Sequence, residues 1–206
     1  MPVTINGSGS TGSINTAVLP SSGTFATQSY ADTAGGLVKI ATETFYAVSS
    51  VSVNNCFTSS YANYLLIVNI TAASAAGAGV DLRLRVSGVD NSSSNYYNIA
   101  MGWSANAANP TFFAEGSNGT ATVGKTPIRL ASGAESSGQV RISNPFATQY
   151  TTWDGMGTQT NVTTNLLFMQ QTHSGTTVTT SYDGFSLIPT SGTFTGTVRV
   201  YGYRNS

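Results

Sequence analysis

Two neighbouring segments, residues 64–70 and 80–86, constrain the fold of this chain most strongly. The first, YLLIVNI, is apolar almost throughout, rich in β-branched residues and too short for an amphipathic helix. It therefore predicts a central strand that is covered on both faces. The second, VDLRLRV, alternates apolar and charged residues, which directs the apolar set toward a core and Asp81, Arg83 and Arg85 toward solvent. Joined by a link of small residues, the two segments predict the beginning of an antiparallel β-sandwich.

Segments of the same kind recur along the chain between clusters of Gly, Ser, Asn and Asp. No stretch has helical periodicity, so we expect an all-β, jelly-roll-like antiparallel sandwich of about eight to ten strands over residues 37–206. The segment NLLFMQ, residues 165–170, is again apolar on both faces and is expected to lie across the core from YLLIVNI. Loops are predicted at 103–110, 116–119 and 154–157. The remaining predicted strands are 37–53 with a bend at Ser49 and Ser50, 96–101, 112–115, 120–130, 139–143, 150–153, 182–188, and 194–203 with Val198 and Val200 facing inward.

Residues 1–36 form a separate compositional unit at the N-terminus. They contain scattered apolar residues, repeated Ser-Gly steps and Pro20, without any period. Such a segment cannot bury enough apolar surface to fold alone. We therefore expect it to be either disordered or an extended arm that becomes ordered against a partner.

Charged residues are scarce and balanced, with eight Lys and Arg against eight Asp and Glu in 206 residues. Clustered Lys and Arg are needed to bind phosphates or anionic lipids, so we expect no nucleic-acid partner and no membrane partner. No apolar run approaches the roughly 18 residues of a membrane span. The N-terminus lacks the basic start and apolar core of a signal peptide, which predicts a protein made in a cytoplasm. Cys56 is the single cysteine, so it forms no intramolecular disulfide and is expected to be buried.

Three features of the sequence suggest catalysis, but each lacks the neighbouring elements or the further residues that the chemistry requires. GTATVGKT, residues 119–126, matches the phosphate-loop pattern, but no buried strand precedes it and too few residues follow it for a helix. Gly7, Gly9 and Gly12 match the dinucleotide fingerprint, again without a preceding strand of useful length. His173 is the only histidine, which excludes a zinc site of the usual composition within one chain. We therefore expect no enzyme activity, no cofactor and no metal site.

Aromatic residues near predicted loops indicate contact surfaces more strongly than the charged residues do. Amphipathic rings serve protein interfaces and stack on sugars. The two tryptophans are the best candidates, because both lie in segments rich in Gly and Asn. The predicted ligand or partner contacts are Trp103, Trp153, Tyr96 and Tyr97.

Four blocks of the sequence carry a family resemblance. They are TINGSGSTGSI, ATETFYAVSSVSVNNCFTSSYANYLLIVNI, DLRLRVSGVDNSSSNYY and YDGFSLIPTSGTFTGTVRVYGYRN. Together they resemble small tail-fibre or accessory virion proteins of tailed bacteriophages. The resemblance implies a β-sandwich that forms a homotrimer, resides in the virion and docks on the particle through its N-terminal arm.

This resemblance leads to specific expectations about partners and function. A tail-fibre or receptor-binding module is favoured, and a capsid decoration (cement) protein that stabilises the phage head is the alternative. The expected partners are further copies of the chain, tail, baseplate or major capsid proteins, and a host-surface glycan. A glycan hydrolase ranks third, because no pair of carboxylates can be assigned from the sequence. The residues expected to anchor the arm lie within residues 3–19 and are Val3, Ile5, Ile14, Val18 and Leu19.

Overall fold

The computed structural model describes residues 36–106, 109–131, 135–161 and 166–204. Within these ranges the regular structure consists of β-strands paired antiparallel, which confirms the predicted all-β fold. None of these residues belongs to a helix that is long and apolar enough to cross a membrane. The strands are β1 Leu37–Val48, β2 Val51–Val53, β3 Asn63–Ala73, β4 Gly79–Val86, β5 Val89–Asp90, β6 Tyr96–Asn106, β7 Asn109–Ala121, β8 Gly124–Arg129, β9 Ser136–Ser143, β10 Thr152–Asn161, β11 Leu166–Thr176, β12 Gly184–Pro189 and β13 Phe194–Tyr203.

The strands form two sheets. The larger has eight strands in the order β1-β13-β3-β9-β10-β11-β6-β7, and the smaller has the order β2-β12-β4-β5, with β8 also paired to β4. By its internal contacts the chain divides between Gly35 and Gly36, next to the predicted boundary after Gly36. The predicted arm and its anchoring residues lie outside the described residues.

A single apolar core joins the two sheets. In the larger sheet, alternate residues of β3 and β13 are buried, and Val198 and Val200 face inward as predicted. The smaller sheet contributes Leu82, Leu84 and Phe185 to the same buried cluster. Cys56 is also buried there as predicted, and burial raises the pKa of its thiol from 9.0 to about 12. The core therefore supplies the arrangement of two packed sheets that a sandwich requires.

Several sequence predictions are corrected by the strand pairing. The predicted loop at 103–110 is wrong, because β6 continues to Asn106 and β7 begins at Asn109. The turn predicted at 116–119 lies inside β7, where the register to β6 slips and accommodates the extra residues as a bulge. Asp81 is buried instead of facing solvent, because β8 pairs with β4 at this point and Lys125 Nζ lies 3.1 Å from Asp81 Oδ1.

The two strands predicted to be apolar on both faces also differ from expectation. β3 and β11 belong to the same sheet, so they do not face each other across the core. On β3, the second face is only partly covered, and Leu65 and Ile67 are half-buried. The apolar residues that led to this prediction are therefore shared between the core and the opposite face of the larger sheet.

The predicted loop at 154–157 is instead the middle of β10, and close packing explains its glycines. β8 crosses the inner side of the larger sheet, and Pro127 lies directly over Gly155 and Gly157. A Cβ atom on Gly157 would lie 2.2 Å from the Pro127 carbonyl oxygen. Glycine is needed at this position because another backbone approaches it, and not because the chain turns.

We predict that Gly157→Ala destabilises the sandwich by about 1–3 kcal/mol, the usual cost of forcing atoms into a packed core. The displaced group is backbone, which cannot rotate away. Gly79→Ala is the matched control, since its Cβ would meet only Thr190 Cγ2 at an ordinary 3.8 Å. Urea unfolding of both variants checks the prediction, and equal midpoints would contradict it.

Candidate interaction surface

The larger sheet has one face against the core and one face pointing away, which we call the outer face. On this face, strand pairing places side chains of neighbouring strands side by side in rows. In one row Met169 lies beside Trp103, and Trp103 lies beside Phe112. The next row contains Met156, Gln171 and Met101. Within the described residues no strand of the smaller sheet is paired or packed on this side, and these side chains remain exposed.

The polarity of β11 is the reverse of what a surface strand normally shows. From Gln170 to the end of the strand its inward residues are polar and almost completely buried, whereas Leu167 and Met169 point outward. From Ile99 onward β6 shows the same reversal, since Ala100 and Gly102 face inward and large side chains face outward. The polar inward residues of β11 are Gln170, Thr172, Ser174 and Thr176, which follow the inward, half-buried Phe168. The outward residues of β6 are Tyr97, Ile99, Met101 and Trp103.

This reversal creates an exposed apolar patch on the outer face. Trp103 and Phe112 contact each other with ring centroids 5.2 Å apart. The other members surround them on β6, β10 and β11, and each member is 43–54% exposed. Contiguous apolar surface of this kind marks a site of protein contact. The patch consists of Ile99, Met101, Trp103, Phe112, Met156, Leu167 and Met169.

Polar residues occupy the centre of the outer face beside the patch. Arg141 Nη2 donates a hydrogen bond to Asp154 Oδ1 at 2.9 Å, and Nε donates to the same oxygen at 3.1 Å. The imidazole of His173 lies near the Tyr97 ring, with centroids 6.4 Å apart. Arg141, Asp154 and His173 line an open depression of about 400 Å³. Met156 and Ile99 lie in its wall as well, whereas Tyr97 does not. The charges of Arg141 and Asp154 at the centre of the face therefore compensate each other.

Two of the predicted contact residues lie on this surface. Trp103 is 49% exposed within the patch, and Tyr97 lies beside His173 on the outer face. Their contact with a ligand or partner stays a prediction. The prediction did not include the methionines and Ile99, although the alternation in YYNIAMGW was a signal that large residues would share one face.

The other two predicted contact residues are wrong. Trp153 is 1% exposed, and its Nε1–H donates to the Lys125 carbonyl oxygen at 2.9 Å. Tyr96 is completely buried, and its hydroxyl donates to the Asn91 carbonyl oxygen and accepts from the Leu84 N–H. Burial raises the pKa of Tyr96, so the phenol stays neutral. Both side chains face inward because their strands place odd and even residues on opposite sides, and these positions fall on the core side.

Of the features that suggested catalysis, Gly7, Gly9 and Gly12 lie outside the described residues, and the other two do not form a site in the described structure. Residues 119–126 comprise the end of β7, a short turn and the start of β8, so no helix follows Lys125. Lys125 forms an ion pair with Asp81. His173 lies on β11, and no group of three or more His, Cys, Asp or Glu side chains in the described ranges is placed to hold a metal ion.

Comparison of the chain with protein-family models, with curated proteins and with solved structures found no match.

Proposed function

We propose that this protein is a structural component of a tailed-bacteriophage virion, in which three copies form a tail-fibre or receptor-binding module anchored by the N-terminal arm. The observation that carries the proposal is the exposed apolar patch, whose side chains on β6, β7, β10 and β11 point away from the core. A contiguous apolar patch of this kind on a folded domain marks a surface that another surface covers. Assembly of copies supplies that surface.

A cyclic assembly fits the two unlike halves of the outer face. The half on β6, β7, β10 and β11 carries the apolar patch. The half on β3 and β13 carries Leu65, Ile67, Arg199 and Tyr201 on the same side of the sheet. Contact between unlike halves of successive copies forms a ring when the rotation between copies closes and a filament when it does not, whereas contact between like halves gives a two-fold dimer. The trimer implied by the sequence resemblance uses the first arrangement.

The low and balanced charge of the chain supports an assembly role further. Copies brought together around an axis do not repel each other when each carries no net charge. Hydroxyl and amide side chains dominate the surface instead, and main-chain groups are available for strand addition where side chains are small. An arm of residues 1–36 provides a separate means of attachment to the particle.

Deletion of residues 2–30 tests the proposal. We expect the deleted protein to keep its circular-dichroism spectrum and melting temperature but to be absent from virions, because the sandwich does not need the arm and the particle does. Immunogold labelling of intact virions measures incorporation. Label on the tail or its tip supports a fibre, label over the head makes the protein a decoration protein, and label at wild-type density on particles carrying the deletion contradicts the anchoring arm.

A further inference from the structure

A lysine and an aspartate lie side by side where β8 pairs with β4. Asp81 and Lys125 are direct partners in the antiparallel register of these strands, so their side chains start from neighbouring positions on one face. Lys125 Nζ lies 3.1 Å from Asp81 Oδ1. Since a carbon–oxygen double bond is about 1.2 Å long, Nζ lies within about 4.3 Å of the carboxyl carbon Cγ. The fold therefore places an amine next to a carboxyl carbon.

This contact differs from an ordinary ion pair on a protein surface. Asp81 is 8% exposed, and no hydrogen-bond donor of the described residues is aligned on its buried Oδ1. The side chain of Lys125 is 31% exposed. Taking both charges out of water costs free energy, and an ion pair without aligned hydrogen bonds offsets only part of that cost. A reaction that removes both charges is therefore favoured at this position.

A second carboxylate lies close to the pair. Glu115 shares with Asp81 and Lys125 the wall of a cavity of about 190 Å³. It pairs with the buried Ala100 of β6, so its side chain points to the inner side of the larger sheet, where β8 crosses. Among the described residues in this wall, Glu115 and Asp81 are the only carboxylates. A carboxylate beside reacting groups can accept a proton and return it.

The surroundings of Asp81 also favour its protonated form. Burial raises the pKa of Asp81, Lys125 lowers it in part, and the charge of Glu115 raises it. The net direction is upward. The carboxyl group therefore takes up a proton more readily than an exposed aspartate does, and a protonated carboxyl group can lose its hydroxyl as water.

We propose that Lys125 and Asp81 react with each other in the folded protein to form an isopeptide bond, an amide between Nζ and Cγ. Lys125 first gives a proton to the Asp81 carboxylate, which leaves a neutral amine and a carboxylic acid. Nζ then attacks Cγ and forms the new bond. Glu115 accepts a proton from this nitrogen and passes it to the hydroxyl group on Cγ. The Cγ–O bond breaks, one water molecule leaves, and nothing is oxidised or reduced.

The folded structure supplies what this condensation requires. The paired strands hold the amine and the carboxyl group together, which replaces an encounter in solution by a reaction within one molecule. The product is a neutral amide, so two partly buried charges disappear. The link joins β4 to β8 and restrains the unfolded chain as a disulfide does, which the single Cys56 cannot do. This inference goes beyond the proposed function and does not depend on it.

Mass spectrometry of the intact, denatured full-length protein tests the proposal. We expect the wild type to be lighter than its sequence requires by the mass of one water molecule. Lys125→Arg keeps the positive charge but has no nucleophilic amine, and it should have its full mass. Glu115→Gln keeps the side-chain size but cannot carry the proton, and it should also remain at full mass. Processing of the N-terminus is common to all three proteins and cancels in the comparison.

A second measurement uses the fact that the chain contains two lysines, Lys39 and Lys125. A lysine-specific protease acting on the denatured wild type should cleave after Lys39 but not after Lys125, whose amine is acylated. Lys39→Arg is the matched control, because Lys39 is exposed on β1, and this variant should still lack one water molecule. A wild type of full mass that is cleaved after both lysines would overturn the isopeptide bond. Loss of water that persists in Lys125→Arg would overturn it as well.

Discussion

Replacing Met101 and Met169 together by glutamate should separate the proposed trimer into single chains. Both side chains are exposed on the outer face, 43% and 44%, and both lie in the apolar patch that we assign to contact between copies. Two carboxylates buried there without partners would lose their hydration. Because each 1.4 kcal/mol changes an equilibrium constant tenfold, we expect the association constant to fall by at least about 100-fold. Sedimentation velocity at micromolar concentration measures the change.

The control for this variant makes the same chemical change on the other sheet. Val86 and Val89 pair with each other on β4 and β5 and are 38% and 69% exposed. Replacing both by glutamate adds the same charge at exposed apolar positions away from the outer face. This control should remain assembled. Dissociation of both variants would mean that charge alone disrupts the assembly, and dissociation of neither would remove the outer face from the interface.

Replacing Trp153 by alanine should cost about 3–5 kcal/mol of unfolding free energy, whereas replacing Trp103 should cost much less. Trp153 is 1% exposed and packs against Gly124, while Trp103 lies on the outer face. For a domain of this size, the loss at Trp153 corresponds to a fall in melting temperature of about 6–20 °C. The Lys125 carbonyl would keep a partner, since Ser174 Oγ also donates to it at 3.2 Å. The cost therefore reports mainly the cavity.

Both tryptophan variants are best measured in the background of Met101→Glu and Met169→Glu. In that background, loss of contacts between copies does not contribute to the melting temperature. Calorimetric unfolding then compares the two positions directly. Similar losses at both positions would contradict the assignment of Trp153 to the core and Trp103 to the outer face.

The sequence was sufficient to predict strands wherever alternation was strict. β13 was predicted with its bounds and with Val198 and Val200 inward, because period two leaves a single choice of face. The bend between β1 and β2 followed from Ser49 and Ser50. The loop predicted at 154–157 was wrong because the prediction relied on its glycines. These glycines are needed because Pro127 packs against them, and Pro127 belongs to a strand that is close in space but is not paired with β10.

The candidate surface was only partly predictable for a related physical reason. Whether Trp103 or Trp153 faces the core depends on which side the smaller sheet covers, and the local sequence does not contain that information. The runs YLLIVNI and NLLFMQ correctly indicated two apolar faces. The inference that both faces are covered within one chain was wrong for β3, since Leu65 and Ile67 remain half-buried. Coverage by another copy reconciles that sequence pattern with the structure, and this is the central claim of the proposed assembly.

Sedimentation equilibrium of the purified wild-type protein tests that claim most directly. The account predicts a mass three times the 21.3 kDa of one chain at micromolar concentration. It also predicts that the mass falls to that of one chain when Met101 and Met169 are replaced by glutamate. A wild-type mass of one chain at all concentrations up to about 100 µM, roughly −5.5 kcal/mol of association free energy, would contradict it.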